Sequence, residues 1–255
     1  DNYAVEVSDN VVVTTEAAAQ VGNAGFEDWT TESMTMEVQA GSTYTRNWYN
    51  AFVNSEDSWW AVTSKRSMPS SVSASSNYNV KNFPTVAYSA DSFSDSKSAH
   101  IFTVNVGYFN TPDVASGTSY AGELFIGTAD DSGNPTYSGH RFTTRPDKLS
   151  FRYKYAPKGS EKFYVKIELK DAAGSVLYSK EDTQGPAATE WTEYTTSIDW
   201  ADLTKKPENI LIIFKSSSSA KPKVSAKSNL EVAGKTERGH FGSSLYIDDI
   251  QMIYE

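Results

Sequence analysis

Aromatic side chains are concentrated in one polar segment, residues 47–66. Three of the six tryptophans lie there beside a tyrosine, among Asn, Ser, Asp and Glu residues: Trp48, Tyr49, Trp59 and Trp60. Aromatic rings stack on the C–H faces of sugars at low entropic cost, while neighbouring amides and carboxylates bind the hydroxyls. This composition predicts a carbohydrate-binding surface. An alternative stays open, in which the same rings cover the ends of a β-sandwich and keep one polar edge in water.

Two charged residues outside this segment are further, weaker candidates for contacts with a sugar. Arg152 and Glu168 occupy polar positions in segments where apolar and polar residues alternate, so both are expected on an exposed sheet face. A surface ion pair explains them more simply, because Glu168 could meet Arg152 or Lys154 across the sheet.

Two carboxylates near the ends of the main domain are candidates for a metal site. Glu27 follows a tight turn at 23–25, and Asp248 belongs to the last strand-like segment. The first and last strands of a sandwich are commonly neighbours, and two carboxylates with carbonyls from a Gly/Asn turn would suit a structural Ca²⁺. In the alternative interpretation Glu27 accepts hydrogen bonds from backbone N–H groups, and Asp248 or Asp249 pairs with a lysine or arginine.

None of the motifs G-x-S-x-G, G-x-x-x-x-G-K-[ST], G-x-G-x-x-G and H-E-x-x-H is present. A glycosidase needs two carboxylates around the scissile bond, but 32 acidic residues offer too many pairs to choose from. The three histidines are far apart in the sequence, and the absence of cysteine excludes disulfides and thiolate metal sites. We therefore predict no catalytic residue.

The secondary-structure pattern is that of an all-β protein. Residues 148–155 and 162–170 alternate cleanly between apolar and polar side chains, and 209–215 form a continuous apolar run typical of a strand buried on both faces. Turn residues separate many short strands, and no long helical period occurs. This pattern predicts a two-sheet antiparallel β-sandwich of the jelly-roll type. We expect loops at 47–98 for the most part and a solvated, mobile loop at 216–239.

Composition limits the partners and the domain organisation. With a net charge of −9 and a pI near 4.9, the chain is not expected to bind nucleic acid. No run of apolar residues is long enough to cross a membrane. The main domain is expected at 20–255. Residues 1–19 would be an N-terminal hairpin or linker, or the end of an upstream module whose own start has been removed.

Several short motifs resemble the PCMD family, a domain family of Bacteroidetes surface proteins named for carbohydrate metabolism. They occur in the family's order and span most of residues 20–255. The similar stretches are NAGFEDW at 23–29, AGELFIG at 121–127, FTTRPDKL at 142–149, YKYAP at 153–157 and SLYIDDI at 244–250. The Lys- and Ser-rich insertion at 216–238 departs from the family.

The resemblance implies a jelly roll similar to galactose-binding and other carbohydrate-binding modules. It also implies an exported protein, at the cell surface associated with the outer membrane or in the periplasm. By analogy with calcium-holding modules of this kind, it carries the Ca²⁺ ligands over to Glu27 and Asp248. We therefore expect a non-catalytic domain that binds a polysaccharide or glycoconjugate. The alternatives are a glycoside hydrolase of unrecognised type and a structural or adhesive surface module.

Overall fold

The computed structural model describes residues 18–39, 42–52, 58–68, 83–106 and 117–255. The segment expected to form an upstream module or hairpin, 1–19, lies outside these residues except for its last two positions. No helix within the described ranges is long and apolar enough to span a membrane.

Two antiparallel sheets form the body of the molecule. Sheet I contains, in spatial order, β13 (Val176–Gln184), β12 (Phe163–Lys170), β15 (Asn209–Lys215), β7 (Glu123–Ile126) and β3 (Trp60–Val62), with β10 (His140–Arg141) also paired to β15. Sheet II contains β14 (Ala188–Ser197), β11 (Lys148–Ala156), β18 (Phe241–Ile253), β5 (Ser98–Val106) and β4 (Val86–Ser89), with β6 (Thr118–Tyr120) paired to β5. The predicted two-sheet antiparallel fold is confirmed.

The strand order is that of a jelly roll. Eight strands, β5, β7, β11, β12, β13, β14, β15 and β18, are arranged as β14-β11-β18-β5 in sheet II and as β13-β12-β15-β7 in sheet I. Each four-stranded set thus interleaves strands from distant parts of the chain, as two Greek keys require. Strands β3 and β4 extend the two sheets at one edge, and hydrogen bonds from Thr85 N and Val86 N to Ser64 Oγ tie that edge together.

The main core lies between the sheets, and the alternating segments supply it as predicted. In β11 the buried set includes Leu149, Phe151 and Tyr155. Strand β15 is buried on both faces. Phe214 belongs to the inner core, and Ile213 belongs to a small outer cluster with Phe125 and Leu211.

Further strands cover the outer face of sheet II near β4 and β5. These are a ribbon of β1 (Thr30–Gln39) and β2 (Ser42–Asn50) and a hairpin of β16 (Ser228–Val232) and β17 (Lys235–Gly239). The expectation of a solvated loop at 216–239 was therefore wrong over the hairpin. Val232 belongs to the buried cluster that contains Phe83 and Phe241, and Leu230 and Ala233 pack against the same cluster, so a few apolar residues anchor an otherwise polar segment.

Part of the segment predicted as aromatic-bearing loops is also regular. Trp48 lies in β2 and Trp60 in β3, and a 3₁₀ helix (Ser64–Ser67) follows. The polar sequence hid these strands because a two-stranded ribbon exposes residues on both faces and a three-residue edge strand is too short to alternate. Residues 53–57 and 69–82, where loops were also predicted, lie outside the described ranges.

Candidate functional site

A cleft of about 240 Å³ opens beside strand β3 at one edge of sheet I. Its walls are the β1–β2 ribbon, β3 with the 3₁₀ helix, and a small hairpin of β8 (Thr128–Ala129) and β9 (Pro135–Thr136). The cleft is thus formed where three structural elements meet. Such a concavity, with aromatic and polar groups along its walls, is the usual form of a small-ligand site.

Trp48 provides the aromatic face of the cleft. Its ring is half-buried against the main core, and Lys65 Nζ lies 4.6 Å from the ring centre on the 3₁₀ helix side. A cation over an indole is attracted by the negative face of the ring. Packing and Lys65 thus hold the ring, and Trp48 is among the residues that line the cavity.

Polar groups surround the ring. Glu32 lies opposite Trp48 in the β1–β2 pairing, and its Oε1 accepts a hydrogen bond of 2.8 Å from Asn50 Nδ2. Both side chains line the cleft, as does Lys65. The amide oxygen of Asn50, the carboxylate of Glu32 and the ammonium of Lys65 provide acceptor and donor groups that can bind hydroxyls.

The β8–β9 hairpin closes the cleft with a tightly bonded turn. Asp130 Oδ1 accepts hydrogen bonds from Ser132 N at 2.9 Å and Asn134 N at 2.8 Å. The side-chain hydrogen bond from Asn134, together with these backbone bonds, holds the pKa of Asp130 below its usual value. Gly133 adopts φ +78°, and a Cβ there would lie 2.7 Å from the backbone N of Arg66. Only glycine lets the turn pack so closely against the 3₁₀ helix.

The structure corrects the assignment of Trp60 as a stacking residue. Although the residue borders the cleft, its side chain is 0% exposed, and Nε1 donates a hydrogen bond of 2.8 Å to Gly22 O. The ring packs 5.2 Å from Phe26 and 6.1 Å from Phe214, measured between ring centres. Trp60 is a core residue with its polar edge satisfied, because β3 directs this position between the sheets.

Trp59 points away from the cleft. Its half-buried ring stacks on His140 with 4.0 Å between ring centres and 21° between planes. It also lies so close to Gly22 that a Cβ there would be 2.4 Å from Trp59 Cδ1. The three tryptophans therefore do not share one surface, since adjacent residues of an extended segment point to opposite sides.

Tyr49 is also a packing residue in this structure, which corrects its assignment to a sugar-binding surface. It is 6% exposed and meets Tyr88 edge to face with 5.5 Å between ring centres. Burial is the main reason that the pKa of its hydroxyl is raised. Trp48 and Tyr49 alternate along β2, so the ring next to the cleft residue belongs to the outer cluster of sheet II.

Arg152 and Glu168 lie on different sheets, so the predicted pairing across one sheet was wrong. Arg152 is on the outer face of sheet II, where it pairs with Glu193 at 3.0 Å between Nη2 and Oε2. Glu168 is on β12 of sheet I, 2.7 Å from Lys170 Nζ and 3.1 Å from Lys166 Nζ. Burial alone would raise the pKa of Glu168, but the two lysines hold it below its usual value.

Glu27 and Asp248 both bind the loop at 91–97. Asp248 Oδ2 accepts hydrogen bonds from Phe93 N at 2.7 Å and from Ser94 N at 3.2 Å. Glu27 Oε1 accepts from the backbone N of residues 96 and 97 at 3.0 and 2.8 Å. Burial raises the pKa of Asp248 to about 6 despite these bonds. For Glu27, burial would raise the pKa, but the bonds from the loop lower it.

This arrangement bears on the predicted Ca²⁺ site without testing it. A carboxylate offers about four lone-pair positions. The loop uses three of them on Glu27 and two on Asp248, and Asp249 N donates to a further one on Asp248. In the described part of the chain, no three His, Cys, Asp or Glu side chains are grouped to hold a metal. A bound Ca²⁺ would have to share or replace the N–H donors. Calcium at Glu27 and Asp248 stays a prediction.

Sequence reasoning did not single out several residues that the structure brings to the surface sites. In the cleft these are Glu32, Asn50 and Lys65. On the outer face of sheet II they are Phe93, 46% exposed, and Trp191. The available signal for Phe93 was a lone aromatic residue in a Ser/Asp-rich stretch. Cleft-lining polar residues give no such signal, because their proximity depends on tertiary contacts.

No protein-family model and no curated protein matches the chain, whereas several solved structures do. A provisionally assigned glycoside hydrolase from Bacteroides thetaiotaomicron aligns over 77% of this chain and 63% of its own length, at 19% identity and a TM-score of 0.49. This chain therefore spans less than two thirds of that protein.

Two carbohydrate-binding modules also align with the chain. TmCBM61, solved with β-1,4-galactotriose, aligns over 92% of this chain and 97% of its own length, at 10% identity and a TM-score of 0.35. The family 11 module of cellulase Lic26A-Cel5E of Clostridium thermocellum aligns over 78% and 89%, respectively, at 10% identity and a TM-score of 0.34. With scores this low, the fold assignment rests on the strand order of the chain itself.

Proposed function

We propose that this protein is a non-catalytic glycan-binding domain and that the cleft beside Trp48 is its binding site. The observation that carries the proposal is the combination of a half-buried indole face, fixed by Lys65, with Glu32 and Asn50 in one concavity of about 240 Å³. An aromatic face with polar groups at its rim suits a sugar ring, whose C–H groups form the faces and whose hydroxyls lie mainly around the edge.

The size of the cleft limits how much of a ligand it can hold. A volume of about 240 Å³ is below the usual range of closed drug-sized pockets, roughly 300–1,000 Å³. The cleft would therefore bind one or two sugar units of a glycan, while the rest of the glycan lies outside it. This geometry favours recognition of part of a polysaccharide.

A glycoside hydrolase is the less favoured alternative. Its general acid needs a raised pKa close to the scissile bond. Asp130 lines the cleft, but its carboxylate is held by the turn and its pKa is lowered. Asp248, whose pKa is raised to about 6, is fully buried under the loop at 91–97. These environments give neither aspartate the properties of a general acid.

The test is affinity electrophoresis against a panel of soluble glucans, galactans, xylans and mannans, followed by calorimetry with the best ligand. Trp48→Ala should weaken binding about tenfold or more, as expected for loss of a central aromatic contact. Trp48→Tyr should retain most of the affinity. Trp59→Ala is the matched control, because this ring stacks on His140 outside the cleft. Equal affinities of Trp48→Ala and the parent protein would contradict the proposed site.

We also propose that the protein is exported, to the cell surface or the periplasm, where polysaccharide ligands are met. The resemblance to the PCMD family and the presence of an upstream domain stay predictions. Fractionation of the native host, with detection by an antibody against this domain, tests the location. Recovery of the protein only from the cytosolic fraction would contradict it.

A further inference from the structure

A second surface carries aromatic side chains, on the outer face of sheet II next to its edge strand β14. Phe93 is 46% exposed, and its ring centre lies 6.4 Å from that of Trp191, with 66° between the planes. Trp191 is half-buried, so Phe93 supplies most of the exposed aromatic area, and such area is removed from water only when a ligand covers it.

Each of the two rings has a cation beside it. Arg152 Cζ is 4.6 Å from the centre of Phe93, and Lys154 Nζ is 5.2 Å from that of Trp191. Both cations come from alternate outward positions of β11, so the sheet itself sets their spacing. We call the surface formed by these four residues and their carboxylate partners the Phe93–Trp191 patch.

The charges of the patch are paired internally. Arg152 Nη2 lies 3.0 Å from Glu193 Oε2, and Lys154 Nζ lies 2.7 Å from Asp91 Oδ1. Two cations and two carboxylates leave no net formal charge among these residues. The patch therefore offers hydrogen-bond donors and acceptors without an excess of positive or negative charge. Such a surface suits hydroxyl groups better than carboxylate, sulfate or phosphate groups.

The loop that carries Phe93 is held at several points. Phe93 N and Ser94 N donate to Asp248, and Ser94 Oγ donates to Asp249 Oδ1 at 2.7 Å. Farther along, the backbone N of residues 96 and 97 donates to Glu27. Because ordering a loop on binding costs free energy, a loop already fixed presents its aromatic residue at a lower cost.

Trp191 has a donor to offer. Its indole N–H has no hydrogen-bond acceptor in the part of the chain that the structure describes, so donating it to a ligand hydroxyl breaks no bond formed there. The nitrogen is shielded from solvent, and the side chain must turn slightly to reach a ligand. A buried donor without a partner costs free energy, which favours that movement.

We propose that the Phe93–Trp191 patch is a second carbohydrate-binding site and that its ligand is an uncharged glycan chain. This inference rests on the proposed function and extends it to a surface separate from the cleft. The cleft lies at the edge where β3 meets β4, whereas β14 is the opposite edge strand of sheet II. The net charge of −9 also disfavours acidic polysaccharides.

The experiment compares the parent protein with Phe93→Ala/Trp191→Ala, with the conservative variant Phe93→Tyr, which keeps the indole N–H of Trp191, and with Trp48→Ala on the same panel of soluble neutral polysaccharides. We expect the double alanine variant to lose about tenfold in affinity and the conservative variant to stay within about threefold of the parent. Circular dichroism and urea unfolding check that each variant folds. Trp48→Ala should weaken binding separately, because its site is distinct.

The outcomes separate the two proposals. If the double alanine variant keeps the affinity of the parent protein while Trp48→Ala loses affinity, the second site is overturned and the proposed function stays intact. Loss in the double alanine variant, with full binding by Trp48→Ala, supports the patch and overturns the cleft. Binding of none of the neutral polysaccharides by the parent protein overturns both. If the parent protein binds a polyuronate in a salt-sensitive way and the double alanine variant does not bind it, the assignment of an uncharged ligand is overturned.

Discussion

At the scale of single residues, Trp48 and Trp60 show how environment divides the roles of one residue type. Trp60 is enclosed by Phe26 and Phe214, with its N–H bonded to Gly22 O. Trp60→Ala should lower the free energy of unfolding by about 3–5 kcal/mol, because it empties a core position. Trp48→Ala should cost clearly less, since its ring is only half-buried. Urea unfolding of both variants is the measurement, and equal losses would contradict this division.

His100 gives a prediction about pH. The ring is fully buried, stacks on Tyr246 with 4.1 Å between ring centres and contacts Ser244 Oγ at 2.5 Å. Burial lowers its pKa to about 3, against 6.5 when unperturbed, although a backbone hydrogen bond to Glu231 acts in the opposite direction.

Below pH 6.5 His100 binds a proton in the unfolded chain but stays neutral in the folded protein. The stability that depends on neutral His100 is therefore complete above that pH. It is lost as the pH falls toward 3. At pH 5 the loss is about 2 kcal/mol. His100→Gln should start from a lower stability but fall less between pH 7 and 5. Parallel curves of unfolding free energy against pH would contradict the assignment.

At the scale of elements, the β8–β9 hairpin is the wall of the cleft with the tightest packing. Gly133 has φ +78° and no room for a Cβ, whereas Gly174 has φ +80° in a turn with nothing within 4 Å. Both alanine variants should pay for the left-handed backbone, about 1 kcal/mol. Only Gly133→Ala should also displace the hairpin and weaken glycan binding. If calorimetry gave the two alanine variants equal affinities for the glycan, the packing of the β8–β9 hairpin would not contribute to binding.

The loop at 91–97 is the element to which the calcium prediction belongs. If Ca²⁺ binds at Glu27 and Asp248, millimolar CaCl₂ should raise the melting temperature above its value in EDTA, because binding to the folded state alone stabilises it. Asp248→Asn should remove that difference. Identical melting of the parent protein in the two buffers would contradict the calcium prediction and leave both carboxylates as hydrogen-bond acceptors only.

The elements differ in how far the sequence predicts them. Strands β11, β12 and β15 were predictable, because one or both faces are buried and their residues alternate or run continuously apolar. Strands β2, β3, β16 and β17 were not, because they are short or belong to two-stranded ribbons with polar residues on both faces. The hairpin of β16 and β17 is held chiefly through Val232 and its neighbours, which a polar sequence average conceals.

At the scale of the whole molecule, the jelly roll decides which candidate residues can act together. Alternation indicates that Arg152 and Glu168 face outward, but it does not say from which sheet. The strand order places β11 and β12 in different sheets although they are consecutive in the chain. Likewise, the sequence identified a tryptophan-rich segment, but only the paired ribbon and sheet edge show that Trp48 alone of the three presents its ring to the cleft while the other two pack elsewhere.

The distribution of charge is also a property of the whole molecule. With a net charge of −9, the protein should not gain affinity for a neutral glycan from long-range attraction. Binding measured at 50 mM and 500 mM NaCl should therefore agree within about twofold, since screening removes only charge-based attraction. A strong decrease in affinity at high salt would indicate an anionic ligand instead.

The most direct test of the glycan-binding cleft is an NMR titration of the indole N–H signals with the tightest-binding neutral oligosaccharide. The six tryptophans give separate probes in one unmodified protein. The signal of Trp48 should shift or broaden in proportion to occupancy, while that of Trp60, bonded to Gly22 O in the core, should stay in place. Saturable binding that leaves the Trp48 signal unmoved would contradict the account.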